Sequence, residues 1–317
     1  MSKTVLITGS SGYVGHLTIE ELRSQKLGLY NIIALDVRDA PAENRHPDVT
    51  YITGDIRSKE LVEIVKKYGV ETVVHLASIV TPGDKSNREF EYSVDVLGTE
   101  NVLNACKQNN VQKLIVTSSG AAYGYYADNP ELIQEDHDLR GNEEFAYAHH
   151  KKLVEHMLLK IRKSHPDLKQ LVLRPGVVLG ASTNNQITDL FEKPFVVGVS
   201  GSDIPFVFIW EMDVVKIIVK GITEENEGVY NLAGDGCLTM RQIAQKLGKP
   251  YLNIPPTIFR AILSMLKQFG LTQYGPEQLD FLRYRPVLSN ENLKAKFGYT
   301  PTYTSTEVFD LYLNSRV

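Results

Sequence analysis

Cysteine is scarce in this sequence, which contains only Cys106 and Cys237 among 317 residues. The two lie far apart and have no metal-ligand neighbours, so neither a disulfide framework nor a zinc site is predicted. No apolar run approaches the roughly 18 residues that a membrane-spanning helix needs, and the first apolar run is too short for a secretory signal. Positive charge is not in excess either, because the formal net charge is -4, which argues against nucleic acid or an anionic membrane as the main partner. These absences predict a globular protein of the cytoplasm.

Short apolar runs alternate with helical patterns through the first 175 residues. Strands are predicted over 5–8, 32–35, 51–53, 72–75, 114–117 and 171–174, and helices over 14–26, 59–68, 87–109 and 145–163. The strands are almost continuously apolar, which is typical of a parallel sheet that is covered on both faces. The alternation therefore predicts an α/β fold with a doubly wound parallel (Rossmann) sheet.

A glycine-rich turn follows the first predicted strand. Gly9, Gly12 and Gly15 stand at three-residue spacing where the strand meets a helix. Glycine permits positive φ and close approach of the backbone to a pyrophosphate, and the helix start supplies amide donors. A tight turn without a ligand is the alternative. The strand before the turn and the helix after it favour a dinucleotide site, with contacts from Gly9, Ser11, Gly12, Tyr13, Val14 and Gly15.

Acidic residues end the second and third strands. Asp36 lies 21 positions beyond Gly15, where a carboxylate accepts hydrogen bonds from the adenosine ribose and repels a 2′-phosphate. Arg38, two residues further on, could tolerate the 2′-phosphate of NADP, so NADP stays an alternative. The carboxylate at the strand end is the more direct contact and favours NAD. Asp55 and Ile56 could flank the adenine amino edge, with a turn or helix-capping role as the alternative for Asp55.

Tyr147 and Lys151 are four residues apart on a predicted helix and therefore share a face. A nearby cation favours the phenolate, so this pair predicts a general acid/base for a carbinol or carbonyl oxygen. Ser118 and Ser119 follow the fifth strand, and the carboxyl end of a strand faces the ligand crevice in such sheets.

The chain resembles the extended short-chain dehydrogenase/reductases over nearly its whole length, in particular the NAD-dependent epimerase/dehydratase branch. The resemblance rests on several motifs in order, which are TGSSGYVG from Thr8, Asp36, GDI from Gly54, HLAS from His75, VLGTENV from Val96, TSSGAAYG from Thr117, Tyr147 with Lys151, and LRPG from Leu173.

The resemblance implies a role for each of these residues. Ser119, rather than Ser118, would hydrogen-bond the reacting oxygen, and Tyr147 would exchange its proton. Lys151 would bind the nicotinamide ribose and lower the tyrosine pKa. The cofactor would also lie along Leu76, Ala77 and Ser78, with Pro175 and Val178 beside the nicotinamide.

The sequence pattern also indicates how the chain is organised, because the alternation of strands and helices breaks after Pro175. Residues 1–175 would form the NAD-binding Rossmann domain, joined by a strand near 229–233, and residues 176–317 a smaller substrate-binding domain. The resemblance implies that the helices at 87–109 and 145–163 form a homodimer interface. One departure stands out, because Asp95 occupies a position where relatives usually carry asparagine.

The remaining conspicuous residues suggest little new chemistry. His75, His149, His150 and His156 lack a third ligand at suitable spacing, so no metal is expected. The apolar stripe at 258–269 predicts a core or substrate-lid helix. Packing roles are favoured for three aromatic residues, Phe206, Phe208 and Trp210.

The predicted reaction is hydride transfer between NAD and a substrate carbon, with Ser119, Tyr147 and Lys151 as the acid/base group. The branch implies a nucleotide sugar as substrate and a 4-epimerase-like reaction. Asparagine is missing directly after the sixth strand, although Asn184 and Asn185 follow, and Arg283 or Arg285 could meet a diphosphate. Two alternatives stay open: a dehydrogenase or reductase of a non-sugar alcohol or ketone, and a non-enzymatic NAD-binding regulator.

Overall fold

The computed structural model of the chain describes residues 3–26, 30–80, 87–202, 205–269, 275–276 and 278–316. Its strands are β1 Lys3–Thr8, β2 Tyr30–Asp36, β3 Val49–Thr53, β4 Thr72–His75, β5 Lys113–Thr117, β6 Lys169–Pro175, β7 Val177–Leu179, β8 Val196–Val199, β9 Pro205–Phe206, β10 Phe208–Trp210, β11 Gly228–Leu232, β12 Leu238–Thr239 and β13 Tyr251–Ile254. Its α-helices are α1 Tyr13–Lys26, α2 Glu60–Tyr68, α3 Arg88–Tyr92, α4 Gly98–Gln108, α5 Ala146–Ser164, α6 Gln186–Glu192, α7 Glu211–Thr223, α8 Met240–Leu247, α9 Pro256–Gln268, α10 Gln278–Arg283 and α11 Ser305–Asn314.

Seven strands form one sheet in the order β11-β6-β5-β4-β1-β2-β3. All of its pairings are parallel. The chain moves outward from β1 to β3, then returns to β4 on the other side of β1, which places a topological switch between β1 and β4. Ligands bind outside the carboxyl ends of strands at such a switch. The predicted doubly wound fold is confirmed.

Helices cover both faces of this sheet. On one face, α1 and α7 pack against β1, β2, β6 and β11 in a cluster that includes Leu22, Ile217 and Leu173. On the other face, α2, α4 and α5 bury Val65, Leu103 and Leu158 with further core side chains from the sheet. The near-continuous apolar strands follow from this double burial. Helix α7 comes from beyond residue 175 and was not predicted; the division into domains at 175 stays a prediction.

The predicted helix over 87–109 is present, but its centre is π-helical. It consists of α3, a π-helical segment at Ser93–Leu97, and α4. A π turn inserts one residue into the helix while apolar side chains still recur at nearly helical spacing, so the sequence pattern does not reveal it. The consequence is that Asp95, on this turn, is directed into the protein and is only 3% exposed.

The later part of the chain builds a second apolar cluster around small two-stranded sheets, β7 with β10, β9 with β12 and β8 with β13. Phe206 and Phe208 are fully buried in this cluster with Phe191 and Phe309, in accord with the predicted packing role. Helix α9 contains no buried residue, so the apolar stripe at 258–269 is not a core segment. None of the helices in the described ranges is both long and apolar enough to cross a membrane.

Candidate active site

The glycine-rich turn closes tightly between β1 and α1. Gly9 has φ +72°, and a Cβ there would lie 2.6 Å from the backbone nitrogen of Ala77. A Cβ on Gly15 would lie 2.2 Å from the carbonyl oxygen of Gly9. Side chains at these positions would therefore collide with backbone, so the turn closes only with glycine there. The turn leads directly into α1, and the start of a helix favours the negative charge of a pyrophosphate.

Asp36 lies directly behind this turn. Its carboxylate accepts hydrogen bonds from the Ser11 nitrogen at 3.0 Å and the Arg38 nitrogen at 2.9 Å, and Asp36 is 7% exposed. The Arg38 side chain is 66% exposed, with Nε 3.5 Å from the same carboxylate. These residues line a hollow together with Ser10 and Thr53. A carboxylate at its floor fits ribose hydroxyls better than a 2′-phosphate.

Asp55 has a structural partner of its own. Its carboxylate lies 3.0 Å from Arg57 Nε and accepts the Arg57 backbone nitrogen at 2.8 Å. The hydrogen bond from Arg57 holds the pKa of Asp55 below its ordinary value. This geometry supports the turn role, and the adenine contact stays a prediction. Ile56 is 4% exposed and lies where a Cβ on Gly98 would collide with it, so its side chain is part of the core.

The other predicted cofactor residues lie at the carboxyl ends of neighbouring strands. Ala77 follows β4 and lies within contact distance of the glycine turn. Leu76, Val14 and Val178 pack against the core cluster that α1 and α7 form with the sheet. Pro175 ends β6, and Val178 lies in β7 just beyond it. The Tyr13 hydroxyl accepts a hydrogen bond from Thr183 at 3.0 Å, a link that no sequence pattern predicts. The structure thus gathers these residues at one edge of the sheet.

The two serines after β5 face different surroundings. Ser118 is buried and donates to Glu155 at 2.5 Å, and Glu155 in turn forms an ion pair with Arg174. Ser119 is partly exposed, caps the following 3₁₀ turn through Ala121, and lies close enough to Tyr147 for its hydroxyl to lower the pKa of that phenol. Ser118 is therefore engaged in a structural network. Ser119 is the hydroxyl available beside the tyrosine.

Tyr147 and Lys151 lie on the face of α5 that packs toward β5. The Lys151 Nζ is 5.5 Å from the centre of the Tyr147 ring and donates to the Thr117 carbonyl at 3.0 Å. Lys151 is only 6% exposed, and burial lowers its pKa. A hydroxyl, a phenol and an ammonium group thus meet at the carboxyl edge of the sheet, beside the switch between β1 and β4.

The tyrosine pKa does not behave as the sequence predicted. Burial raises the pKa of Tyr147 to about 12, the hydrogen bond with Ser119 lowers it, and the charge of Asp95 raises it further. Burial thus has the largest effect on the pKa of this phenol, which is protonated at neutral pH. The phenol can donate its proton directly, but it must lose that proton before it can accept one from a substrate hydroxyl.

Two of the four predicted histidines, His75 and His150, form hydrogen bonds within the protein. His75 is bonded to Thr8 at 2.8 Å and to Thr99 at 2.9 Å, and burial lowers its pKa to about 3, so it is neutral. His150 is bonded to Asp95 at 3.0 Å. Within the described ranges, no three His, Cys, Asp or Glu side chains are arranged to hold a metal ion.

The predicted C-terminal substrate contacts differ among themselves. Asn185 caps α6 through its side-chain oxygen, which accepts hydrogen bonds from the Ile187 and Thr188 nitrogens and is therefore already engaged. The Arg285 guanidinium lies 4.1 Å from the centre of the Phe206 ring and 4.7 Å from that of Phe281, and burial lowers its pKa. Its NH1 atom is buried without a hydrogen-bond partner. Of the two predicted arginines, Arg285 is the one enclosed by aromatic rings. One of these rings belongs to Tyr125, which packs in the same cluster as Tyr147.

The sequence profile of the NAD dependent epimerase/dehydratase family matches residues 5–233. The match includes the glycine turn, Asp36, Ser119, Tyr147 and Lys151. The chain belongs to this family. It is accordingly an NAD-dependent enzyme of the epimerase/dehydratase type, as the sequence predicted.

Full-length relatives agree with this membership. The chain is 29% identical to an N-acetyl-alpha-D-glucosaminyl-diphospho-ditrans,octacis-undecaprenol 4-epimerase of Escherichia coli O157:H7, covering 97% of this chain and 89% of the relative. It is 23% identical to an uncharacterized protein of Mycobacterium tuberculosis, covering 99% and 84%.

Among solved structures, the Thermus thermophilus UDP-glucose 4-epimerase in complex with NAD shares the fold of this chain with a TM-score of 0.72. The two are 23% identical, and the match covers 98% of this chain and 99% of the other. The Thermotoga maritima UDP-glucose 4-epimerase with UDP-glucose gives a TM-score of 0.75 at 18% identity, covering 99% and 98%.

Proposed function

We propose that this chain is a nucleotide-sugar epimerase that uses Ser119, Tyr147 and Lys151 as its acid/base group. The observation that carries the proposal is the meeting of these three side chains at the same sheet edge as the glycine turn and Asp36. When bound there, NAD supplies a reversible hydride acceptor.

Each residue of the group has one task. Ser119 holds the reacting oxygen of the substrate by a hydrogen bond, next to the Tyr147 hydroxyl. Tyr147 takes the hydroxyl proton of the sugar when its carbon is oxidised and returns a proton when the keto group is reduced. Lys151 supplies the positive charge beside the phenol and, through its position on α5, hydrogen-bonds the ribose of the cofactor.

The substrate class follows from the relatives and from Arg285. The relatives include 4-epimerases of UDP-glucose and of a lipid-linked diphosphate sugar. A diphosphate needs a cation, and both arginines have a buried donor without a hydrogen-bond partner in the protein, NH1 of Arg285 and Nε of Arg283. An anionic oxygen would satisfy either donor. We assign the diphosphate contact to Arg285, because its guanidinium lies by Tyr125, which packs in one cluster with Tyr147.

A second candidate is a dehydrogenase of a non-sugar secondary alcohol. Just after β6 the chain has the apolar residues Val177 and Val178, and it lacks the asparagine that the resemblance implies there. A human sterol-4-alpha-carboxylate 3-dehydrogenase, decarboxylating, is 28% identical over 66% of this chain. Apolar side chains at this position, where Val178 is predicted to lie beside the nicotinamide, would suit such a substrate.

The two reactions leave different products, and one experiment separates them. Purified protein is incubated with UDP-sugars and, separately, with secondary alcohols including sterols, while NADH absorbance and product stereochemistry are followed together. An epimerase returns the hydride to the same carbon, so a sugar changes configuration without accumulation of NADH. Stoichiometric NADH from an alcohol, with every nucleotide sugar unchanged, would replace the first proposal by the second.

A homodimer in the cytoplasm completes the proposal. Four large apolar side chains on α3, the π-helical segment and α5 are exposed by 39–46%, namely Phe90, Tyr92, Leu97 and Leu159. Helices with such a face fit a two-fold interface between copies. Both cysteines are free thiols, which suits a reducing compartment. Sedimentation at micromolar concentration tests the dimer, and a monomeric mass would contradict it.

A further inference from the structure

A buried polar pair, Asp95 with His150, lies beside the proposed acid/base group. The two side chains are 2% and 1% exposed, and Asp95 Oδ2 is 3.0 Å from His150 Nδ1. His150 precedes Lys151 directly on α5 and lies close to one turn after Tyr147. The pair therefore connects the π-helical turn to the helix that carries both of those residues.

The second oxygen of Asp95 holds another segment. Asp95 Oδ1 accepts hydrogen bonds from Ser78 Oγ and from the Ile79 nitrogen, both at 2.9 Å. Ser78 belongs to the segment after β4 that is predicted to lie along the cofactor. One carboxylate therefore joins the cofactor side of the cleft to the acid/base helix.

The carboxylate is also charged. Burial alone would raise the pKa of Asp95, but the hydrogen bonds from His150, Ile79 and Ser78 and the charge of Lys151 bring it below its ordinary value. A buried carboxylate is tolerated when its oxygens are hydrogen-bonded and a cation is near. Asp95 meets both conditions.

The surroundings of the pair contain few other ionisable groups. Among the described residues, α5 contributes Tyr147, Lys151, His149 and Glu155, β4 contributes neutral His75, and α3 contributes the Tyr92 ring. Asp95 raises the pKa of both Lys151 and Tyr147, whereas Glu155 acts on Lys151 alone. Asp95 is thus the negative charge common to both members of the acid/base pair.

We propose that Asp95 and His150 are positioning residues, which tie the cofactor segment to α5 and supply the negative charge that balances Lys151 beside Tyr147. An asparagine at this position would keep acceptors for Ser78 and Ile79 but would carry no charge. The aspartate therefore keeps the Tyr147–Lys151 pair protonated to higher pH than an amide would. The assignment rests on the proposed roles of Tyr147 and Lys151.

Asp95→Asn tests the charge, because it removes the charge with little change in shape. Removal of a negative charge lowers the pKa of both neighbours, so the pair should titrate about one pH unit lower. In the NAD-bound protein, tyrosine labelled with carbon-13 at Cζ reports the phenolate of Tyr147, assigned by its loss in Tyr147→Phe. Asp167→Asn removes an exposed charge just beyond the far end of α5 and is the matched control.

The titration should begin at lower pH in Asp95→Asn than in wild type and Asp167→Asn. Coincident titrations in all three proteins would overturn the electrostatic role. This readout needs no substrate, so it stands even if every nucleotide sugar proves inert. Where turnover is measurable, the tyrosine-dependent limb of kcat/KM against pH should move in the same direction.

Asp95→Ala and His150→Leu test the tether. Asp95→Ala removes the acceptor for Ser78 and Ile79, and NAD should bind about tenfold more weakly, while Asp95→Asn keeps its Kd within about twofold of wild type. His150→Asn, which keeps a donor at the Nδ1 position, should restore the affinity lost in His150→Leu. If all four variants bind NAD as tightly as wild type does, the positioning role is overturned. If Asp95→Ala does not fold, the comparison of His150→Leu with His150→Asn tests the same role.

Discussion

Glu155→Gln should destabilise the protein far more than its position away from the cleft suggests. Glu155 and Arg174 are each 5% exposed and form three contacts between 2.6 and 3.0 Å. The guanidinium also donates to the Tyr123 hydroxyl at 2.6 Å and the Glu135 carbonyl at 2.9 Å. Glutamine removes the countercharge and turns an amide donor toward the donors of Arg174.

The expected loss follows from burial. Removing one partner of a buried ion pair costs about 3–5 kcal/mol, because the remaining charge cannot reach water. Neutral acceptors stay on Arg174, so we expect the lower end, about 3 kcal/mol. For a chain of this size, that corresponds to a decrease in melting temperature of about 5 °C.

The matched control is Glu225→Gln. Glu225 pairs with Lys169 at 2.9 Å, but the two side chains are 75% and 47% exposed. An exposed pair contributes about 1 kcal/mol or less, so this variant should melt within about 2 °C of wild type.

Thermal unfolding followed by circular dichroism compares both variants with wild type at neutral pH. Equal melting temperatures for Glu155→Gln and Glu225→Gln would refute the reasoning from burial.

Glu155→Gln should also affect the site, because Glu155 accepts a hydrogen bond from Ser118 at the end of β5, next to Ser119. Turnover of folded Glu155→Gln should therefore decrease with little change in NAD affinity.

Other predictions concern the cofactor and the acid/base group. Ser119→Ala should lower kcat/KM by roughly 10²–10³-fold through loss of a hydrogen bond to the reacting oxygen, and Ser118→Ala should be milder in steady-state assays; the reverse ranking would mean that the wrong hydroxyl was chosen. In calorimetry, Asp36→Ala should bind NAD more weakly than wild type, and its preference for NAD over NADP should be smaller. Tighter binding of NADP than of NAD by wild type would contradict the ribose contact. Because burial raises the pKa of Tyr147 to about 12, oxidation of substrate should speed up with pH across the neutral range, and a flat profile would contradict a proton transfer through this phenol.

Much of the fold was predictable because parallel strands buried on both faces leave an unmistakable apolar pattern. The glycine turn and Asp36 were predictable for a similar reason, since backbone collisions at Gly9 and Gly15 exclude other side chains. Helix α7 was not predicted, and an apolar pattern in any case does not tell which sheet a helix packs on. In the structure it returns to the first sheet.

The environment of the acid/base group was harder to predict. The raised pKa of Tyr147 depends on burial in three dimensions, which the four-residue spacing to Lys151 does not reveal. The partner of Asp95 was also out of reach, because the π turn at Ser93–Leu97 has no sequence signal and His150 is 55 residues away. The unusual carboxylate itself was the only sign that a partner existed.

The central claim is that Tyr147 moves the proton in a reaction whose hydride NAD accepts and returns. The most direct measurement is turnover of UDP-sugars by Tyr147→Phe, with NAD affinity measured on the same preparation. Wild type should change the configuration of the sugar, whereas the variant should bind NAD with unchanged Kd and lose about 10²–10⁴-fold in rate, as expected for loss of a general acid/base. A variant that keeps a rate close to that of wild type would contradict the account.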